Sequence, residues 1–189
     1  MSLVPDHYGV RPLLPSFETE RLMLRPRSMA DFQACLAMDR DPDVTKFIPG
    51  PWNDPEKHER FLRNRIENSL GDGLGYWSIF PRDRPGQFLG WILLIPYDGS
   101  GPEIEIGWRL NRLSWGKGYA TEAAKPIVEH AFEALRLSRI VADINPGNIP
   151  SMRVAEKIGL KYIGDDHHGG TPCKSYLMTI EDFTQPSSG

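Results

Sequence analysis

The chain has 189 residues, with 22 Lys and Arg against 25 Asp and Glu, so its formal net charge is -3. This balance excludes the basic excess on which non-specific nucleic-acid binding depends, and no stretch reaches the roughly 18 apolar residues of a membrane span. The length favours one domain, which we predict over residues 16–184, between an extended segment at residues 1–15 and a tail at residues 185–189. Two distant cysteines, Cys35 and Cys173, and the lack of a signal-peptide pattern predict a cytoplasmic protein.

The first half of the chain reads as short strands and helices. Leu22 and Leu24 alternate with polar residues before Pro26, which is typical of a strand. The run 53–56, Asn-Asp-Pro-Glu, has a capping side chain followed by proline and an acid, which predicts a helix start. The predicted elements are a strand at 17–25, helices at 31–38 and 53–70, and strands at 75–80, 88–95 and 104–110.

The second half contains the strongest helical pattern. From Ala120 to Leu135, apolar residues recur at spacings of three and four, and Pro126 within this run predicts a kink. The remaining predicted elements are a strand at 140–144, a helix at 148–158, and strands at 160–163 and 174–180. This order predicts a mixed α/β fold, in which a mostly antiparallel sheet is flanked by helices.

A glycine-containing loop precedes the main helix. Gly116 and Gly118 allow a tight turn that exposes consecutive N–H groups, and the positive end of the helix dipole adds to their attraction for anions. Arg112 and Lys117 supply nearby positive charge. The loop therefore predicts a phosphate site, although two glycines that merely turn the chain would look the same. The spacing matches neither the nucleotide-triphosphatase loop nor the dinucleotide fingerprint.

Four stretches of the chain resemble the GNAT acetyltransferases, and among these the branch of the ribosomal-protein N-terminal acetyltransferases. They occur in the family's order and at its spacing, and they lie at Glu18–Pro26, Glu105–Leu110, Trp115–Ala123 and Asn148–Leu160. The resemblance implies the GNAT acyl-CoA N-acyltransferase fold. It also implies transfer of the acetyl group of acetyl-CoA to a primary amine by direct attack on the thioester, with no metal.

The same resemblance implies where the cosubstrate binds. The N–H groups from Gly116 to Thr121 would hold the pyrophosphate, and the backbone of 108–110 would pair with the pantetheine arm like an added strand. Asn148 would also contact the pantetheine, although capping of its own helix explains it equally well. The cosubstrate-binding residues so predicted are Trp108, Arg109, Leu110, Trp115, Gly116, Lys117, Gly118, Tyr119, Ala120, Thr121 and Asn148. Trp115 departs from the family's usual glutamine or arginine.

Glu105 is the candidate general base. Attack on a thioester requires a neutral amine, and a carboxylate within an apolar central strand would have a raised pKa through burial. The alternative is an ion pair with Arg109, which alternation places on the same face of the strand. Glu103 is expected at the solvent-exposed start of the strand. Glu122 is expected to be structural, because its position in the first turn of a helix is favoured by the dipole.

The leaving thiolate must take up a proton, and the residue that commonly donates it in this family is absent. Many GNAT enzymes use a tyrosine in the second short helix, and Ala155 stands at that position here. Ser151 is the remaining side-chain candidate, with ordinary helix-start chemistry as its alternative role. The missing tyrosine also leaves open a second function, that of a catalytically inactive CoA-binding regulatory protein.

The sequence contains no motif that identifies the acceptor, but one segment is a candidate for the entrance to its site. We expect the segment 47–52, Phe-Ile-Pro-Gly-Pro-Trp, to line its entrance and to favour a protein N-terminal α-amine or a small-molecule amine. His167, His168 and Cys173 are the only metal-like group, and we predict a loop there, not a zinc site. Neither nucleic acid nor a membrane is expected as a partner, and a homodimer is left open.

Overall fold

Residues 14–185 are described in the computed structural model. The strands and helices of these residues are β1 Phe17–Glu18, β2 Leu22–Pro26, α1 Phe32–Asp39, α2 Pro42–Thr45, α3 Pro55–Glu67, β3 Gly75–Pro81, β4 Gly90–Pro96, β5 Ile104–Leu110, α4 Tyr119–Glu129, β6 Arg139–Ile144, α5 Ile149–Lys157, β7 Lys161–His168, β8 Thr171–Thr179 and α6 Ile180–Thr184. The predicted mixed α/β fold with a mostly antiparallel sheet is confirmed. The strand predicted at 17–25 is divided into β1 and β2, and the short α2 and α6 are additions to the predicted order.

The strands form one eight-stranded sheet in the order β1-β2-β3-β4-β5-β6-β8-β7. All neighbours pair antiparallel except β5 and β6, which run parallel and meet at a single residue pair, Glu105 opposite Val141. By contrast, β4 and β5 pair along seven residues, from Gly90 opposite Leu110 to Pro96 opposite Ile104. Beyond Glu105, therefore, β5 and β6 separate.

Each face of the sheet carries its own hydrophobic core. On one face, α4 and α5 pack on the sheet through residues that include Ile106, Ala123, Ile127, Phe132 and Met152. On the other, α1 and α3 cover a second cluster that includes Phe32, Leu36, Leu62, Trp91 and Leu93. The sheet is thus buried on both sides, and this explains why β3 and β4 read as nearly continuous apolar runs.

Helix α3 starts as predicted but ends early. The Asp54 side chain accepts a hydrogen bond from the Lys57 N–H, and Pro55 occupies the first turn. At its other end the helix stops at Glu67, because Asn68 takes an extended conformation, with φ -82° and ψ 138°. The helix therefore ends three residues before residue 70, where its end was predicted.

The main helix changes its hydrogen bonding near its C-terminal end. Pro126 lies inside the α-helical part, and the next residues, His130–Ala134, are π-helical. The Leu135 N–H donates to the His130 carbonyl at 3.0 Å, which is the bond from residue i to i-5 that defines this geometry.

The predicted loop between the last two strands is wrong. Strands β7 and β8 continue to His168 and Thr171, so the connection is the two-residue turn Gly169–Gly170. Both glycines have positive φ, 55° and 80°, the conformation that two-residue hairpins require. His168 consequently occupies a fixed position at the end of a strand.

The predicted extended segment at residues 1–15 lies outside the described residues except for its last two, and so does the tail beyond residue 185. The domain boundaries at residues 16 and 184 stay predictions. Both Cys35 and Cys173 are free thiols. In the described part of the chain, no helix is long and apolar enough to span a membrane.

Candidate active site

The loop before α4 presents a run of unused hydrogen-bond donors. The backbone N–H groups from Gly116 to Thr121 donate to no atom of residues 14–185, and the first helical bond is that from the Glu122 N–H to the Gly118 carbonyl. Gly116 and Gly118 have positive φ, 72° and 78°, which turns successive N–H groups to one side. Together with the dipole of an eleven-residue helix, this arrangement of donors suits an anion.

Glu122 ties this loop to the start of the sheet. Its carboxylate accepts hydrogen bonds from the Thr19 hydroxyl at 2.6 Å and from the Arg21 backbone and side chain at 2.8 and 2.7 Å. The Arg21 guanidinium also donates to the Lys117 carbonyl at 3.1 Å. Burial alone would raise the pKa of Glu122, but these hydrogen bonds outweigh it and lower the pKa below its ordinary value. The structural role predicted for Glu122 agrees with these contacts.

Trp115 and Arg112 make contacts that hold the loop in place. The Trp115 indole N–H donates to the Leu110 carbonyl at 2.9 Å, which closes the loop onto the end of β5. Arg112, predicted as a nearby cation, pairs with Asp43 at 2.7 Å. Lys117 forms no ion pair within residues 14–185, so its charge is available to the loop.

One edge of β5 is open. The Tyr97 N–H donates to the Glu103 carbonyl and the Asn111 N–H to the Leu89 carbonyl, each at 2.8 Å. Because bonded pairs alternate along an antiparallel ladder, the odd-numbered residues of β5 bond to β4. The even-numbered Trp108 therefore turns its N–H and carbonyl toward the gap between β5 and β6.

A cleft of about 510 Å³ occupies this gap and continues over the face of the sheet covered by α1 and α3. Its walls bring together residues that are distant in sequence. Those relevant to the chemistry are Tyr97, Glu105, Asp143, Asn148, Ser151 and His168.

Glu105 lies partly buried in the wall of this cleft, where its carboxylate accepts no hydrogen bond from residues 14–185. Burial raises the pKa of Glu105 to about 7, the carboxylate of Asp143 adds to the rise, and positive charge at Arg65 and His168 opposes it. A group with this pKa is divided between acid and base near neutral pH, as a general base should be.

Arg109 is not the partner of Glu105, so the alternative ion pair is wrong. Its guanidinium donates to Asp39 at 2.6 Å, and Asp39 also contacts the buried His58 at 3.3 Å. The guanidinium lies 4.9 Å from the ring centres of both Trp52 and Trp91. Arg109 is thus held in the core by a carboxylate 70 residues away, a pairing that alternation within one strand cannot reveal.

Helix α5 brings two of the predicted residues to the cleft. The Asn148 side chain accepts a hydrogen bond from the Ser151 N–H at 3.3 Å, so Asn148 is the helix cap. Both residues line the cleft, and the Ser151 hydroxyl bonds to no described residue. Ala155, which stands at the tyrosine position of the family, is fully buried in the core.

The structure adds a hydroxyl cluster that the sequence did not indicate. The Tyr97 hydroxyl donates to Asp143 and lies 2.9 Å from Nδ1 of His168, while the Ser175 hydroxyl donates to the same carboxylate at 2.7 Å. Because the Tyr97 hydrogen is used by Asp143, His168 must donate from Nδ1. Burial raises the pKa of Tyr97, and Asp143 raises it further. These residues meet only because three separate strand ends converge.

The predicted entrance segment lines the cleft in part. Phe47, Ile48 and Pro49 face it, whereas Trp52 turns inward, with its ring 5.2 Å from that of His58. Its indole N–H donates to the Ile48 carbonyl at 2.7 Å, which shapes the segment. Trp52 is therefore a support for the wall and not part of its surface.

In residues 14–185, no group of three His, Cys, Asp or Glu side chains is arranged to hold a metal ion. The predicted absence of a metal from the reaction stays a prediction.

Known proteins resemble this chain along most of its length. It is 36% identical over 146 residues to the uncharacterized N-acetyltransferase YnaD of Bacillus subtilis (strain 168), covering 77% of this chain and 82% of that one. It is 29% identical over 160 residues to the FsC-acetyl coenzyme A-N(2)-transacetylase of Aspergillus fumigatus, covering 79% and 66%. The crystal structure of the acetyltransferase from Agrobacterium tumefaciens str. C58 superposes with a TM-score of 0.73 at 32% identity, covering 87% and 94%.

The family model described as the acetyltransferase (GNAT) domain matches residues 21–161. This range contains the open edge of β5, the donor loop and all of α5. With these similarities, the chain belongs to the GNAT family and is an acetyl-CoA-dependent N-acetyltransferase.

Proposed function

We propose that acetyl-CoA binds along the open edge of β5, with its pyrophosphate on the N–H groups of Gly116–Thr121. The single observation that carries this proposal is the run of six adjacent N–H groups without a partner in residues 14–185. Trp108 would pair with the pantetheine arm through its backbone, and the Leu110 N–H would add to this pairing, while the Leu110 carbonyl already accepts one hydrogen bond from Trp115. Asn148 and Ser151 would face the arm from α5.

The acceptor in this proposal is a primary amine that attacks the thioester carbonyl directly. A lysine-like amine near pKa 10.4 costs about 4 to 5 kcal/mol to deprotonate at pH 7, and an α-amino group only about 1 kcal/mol. Glu105 would take the proton as the nitrogen–carbon bond forms and the carbon–sulfur bond breaks. The leaving thiolate then takes a proton, for which Ser151 remains the candidate side chain.

A protein N-terminal α-amine or a small-molecule amine fits the cleft. The resemblance to the ribosomal-protein branch favours the first, and that branch commonly tolerates a tryptophan at Trp115, where the wider family has glutamine or arginine. The relative from A. fumigatus favours the second, since its name describes acetylation at N(2) of FsC. In both cases the apolar wall of Phe47–Pro49 would contact the part of the acceptor next to the amine.

A thiol-release assay tests this function. Purified protein with acetyl-CoA should release free CoA thiol in proportion to an added amine, and mass spectrometry should find the amine heavier by one acetyl group. Thiol release without an acetylated amine would contradict amine transfer. Tight CoA binding without turnover of any primary amine would instead support the regulatory function.

A further inference from the structure

The end of the cleft beneath α3 is lined by Arg65 and Tyr76, and the buried Arg27 lies behind the tyrosine without lining the cleft. Arg65 donates to the Tyr76 hydroxyl at 2.7 Å and lies 4.4 Å from the centre of the Phe61 ring. Arg27 lies 3.5 Å from the centre of the Tyr76 ring and donates to the Arg65 carbonyl at 3.1 Å. Within residues 14–185, neither arginine forms an ion pair with a carboxylate.

Hydrogen-bond donors are in excess at this end. Since the Tyr76 hydroxyl accepts from Arg65, its own hydrogen remains available to donate. The neighbouring Trp91 indole N–H and the Arg109 Nε are buried without a partner in the described residues. Arg65 uses one of its five N–H groups on a side chain, so the others can bind an anion in the forked geometry that suits a carboxylate.

The opposite end of the same cleft is acidic, with Glu105 and Asp143. Tyr76 of β3 pairs with Leu93 of β4, and Leu93 in turn pairs with Gly107 of β5. Gly107 lies two residues beyond Glu105 on the same strand. Strand spacing then places the Tyr76 and Glu105 Cα atoms on the order of 12 Å apart. Gly107 has no side chain, and the Leu93 side chain lies beside it, so the cleft floor between the two ends carries no charged group.

From this division of charge we propose that the acceptor amine carries a carboxylate several bonds from its nitrogen, and that Arg65 binds this carboxylate. The inference rests on the proposed function, in which the amine is deprotonated at Glu105. The separation between the Arg65 end and the Glu105 end of the cleft favours an extended acceptor such as a short peptide. It disfavours a single α-amino acid, because the amine and the carboxylate of that molecule are too close together. A polyamine is disfavoured, because its second cation would face Arg65.

The test compares matched acceptors in the full chain. The ratio of kcat/KM for dialanine to that for dialanine amide should be about 10 or more, the loss expected from one charge-assisted hydrogen bond. In Arg65→Gln the ratio should fall toward 1, and in Arg65→Lys it should recover in part. Arg63→Gln is the matched control, since Arg63 is on the same helix but pairs with Glu67 at 3.5 Å, and its ratio should match the wild type.

Two further measurements keep this inference separate from the proposed function. Tyr76→Phe removes the hydroxyl that orients Arg65, so it should lower the ratio less than Arg65→Gln does, with thermal unfolding confirming that both variants fold. Calorimetry with CoA present should show N-acetyl-dialanine binding about 10-fold more tightly than its amide, even if neither dipeptide is turned over. Equal kcat/KM for acid and amide, equal binding of the two probes, or a ratio that survives Arg65→Gln would overturn the carboxylate site.

Discussion

At the scale of single residues, the account depends most on Glu105. Its carboxylate is partly buried beside Asp143, has no hydrogen bond from the described residues, and has a pKa of about 7. Glu105 could be identified from the sequence because a carboxylate is unusual within an otherwise apolar strand, where burial disfavours its charged form. The same reasoning missed Tyr97, Asp143 and His168, since their contacts join chain segments more than 40 residues apart.

We predict that Glu105→Gln lowers kcat by about 10² to 10⁴ at pH 7, the usual contribution of a general base. In the wild type, the rate should rise with pH through about 7 as Glu105 loses its proton. The variant should lose this rise and recover activity only as the acceptor amine deprotonates. A stopped-flow pH-rate profile checks this, with the acetyl-CoA Kd as control, and an unchanged profile would make Glu105 a structural residue.

Ser151→Ala should have a smaller effect than Glu105→Gln. A thiol has a pKa near 8.5, so the thiolate already leaves readily at neutral pH and needs little help from an acid. We expect a loss of less than about 10²-fold, below the usual cost of a missing general acid. Single-turnover rates of the two variants at saturating acetyl-CoA rank them. A larger loss in Ser151→Ala with intact CoA affinity would make the hydroxyl an obligatory proton donor.

At the scale of elements, the donor loop was predictable because its information is local. Two glycines before a strong helical pattern indicated the turn, and both have the positive φ that such a turn requires. The β7–β8 hairpin was predicted as a loop although it has a two-glycine turn. Its strand β7 is mostly exposed and rich in charge, so its residues lack the apolar alternation that identifies a strand.

Gly118→Val should abolish measurable CoA binding while the protein remains folded. A β-branched residue resists the φ of 78° at this position, and its Cβ would lie 3.4 Å from the Arg21 guanidinium, which donates to the Lys117 carbonyl of the loop. Gly86→Val is the matched control, because a Cβ there meets no atom within 4 Å and needs no positive φ. Calorimetry with CoA compares the two variants. Wild-type affinity in a folded Gly118→Val protein would rule out the loop as the pyrophosphate site.

Glu122 should matter for stability rather than for chemistry. We expect Glu122→Ala to lower the free energy of unfolding by about 1 to 3 kcal/mol at pH 7, since its hydrogen bonds involve a charged group. The folded-state pKa is lowered, so this stabilisation is present above pH 4.5 and is lost as the pH falls through the lower folded value. Urea unfolding at pH 7 and pH 3 checks this, and an equal loss at both would exclude the charged interaction.

At the scale of the whole molecule, the separation of β5 from β6 creates the active site. The order of elements and the mostly antiparallel sheet followed from periodicity and breakers, which are local signals. The limitation of the β5–β6 pairing to Glu105 and Val141 could not be predicted from local signals. It depends on how α4 and its π-helical end return the chain to the sheet. The cleft, and the charges at its two ends, therefore required the structure.

The most direct test of the account is residue-resolved amide hydrogen exchange of the full chain with and without CoA. We predict slower exchange on CoA binding at Trp108 and at Gly116–Thr121, whose N–H groups would then donate to the cosubstrate. The turn at Gly169–Gly170 should be unaffected. If CoA binds and exchange at Gly116–Thr121 is unchanged, the cosubstrate lies elsewhere, and the proposed roles of the loop and of the open edge of β5 are both wrong.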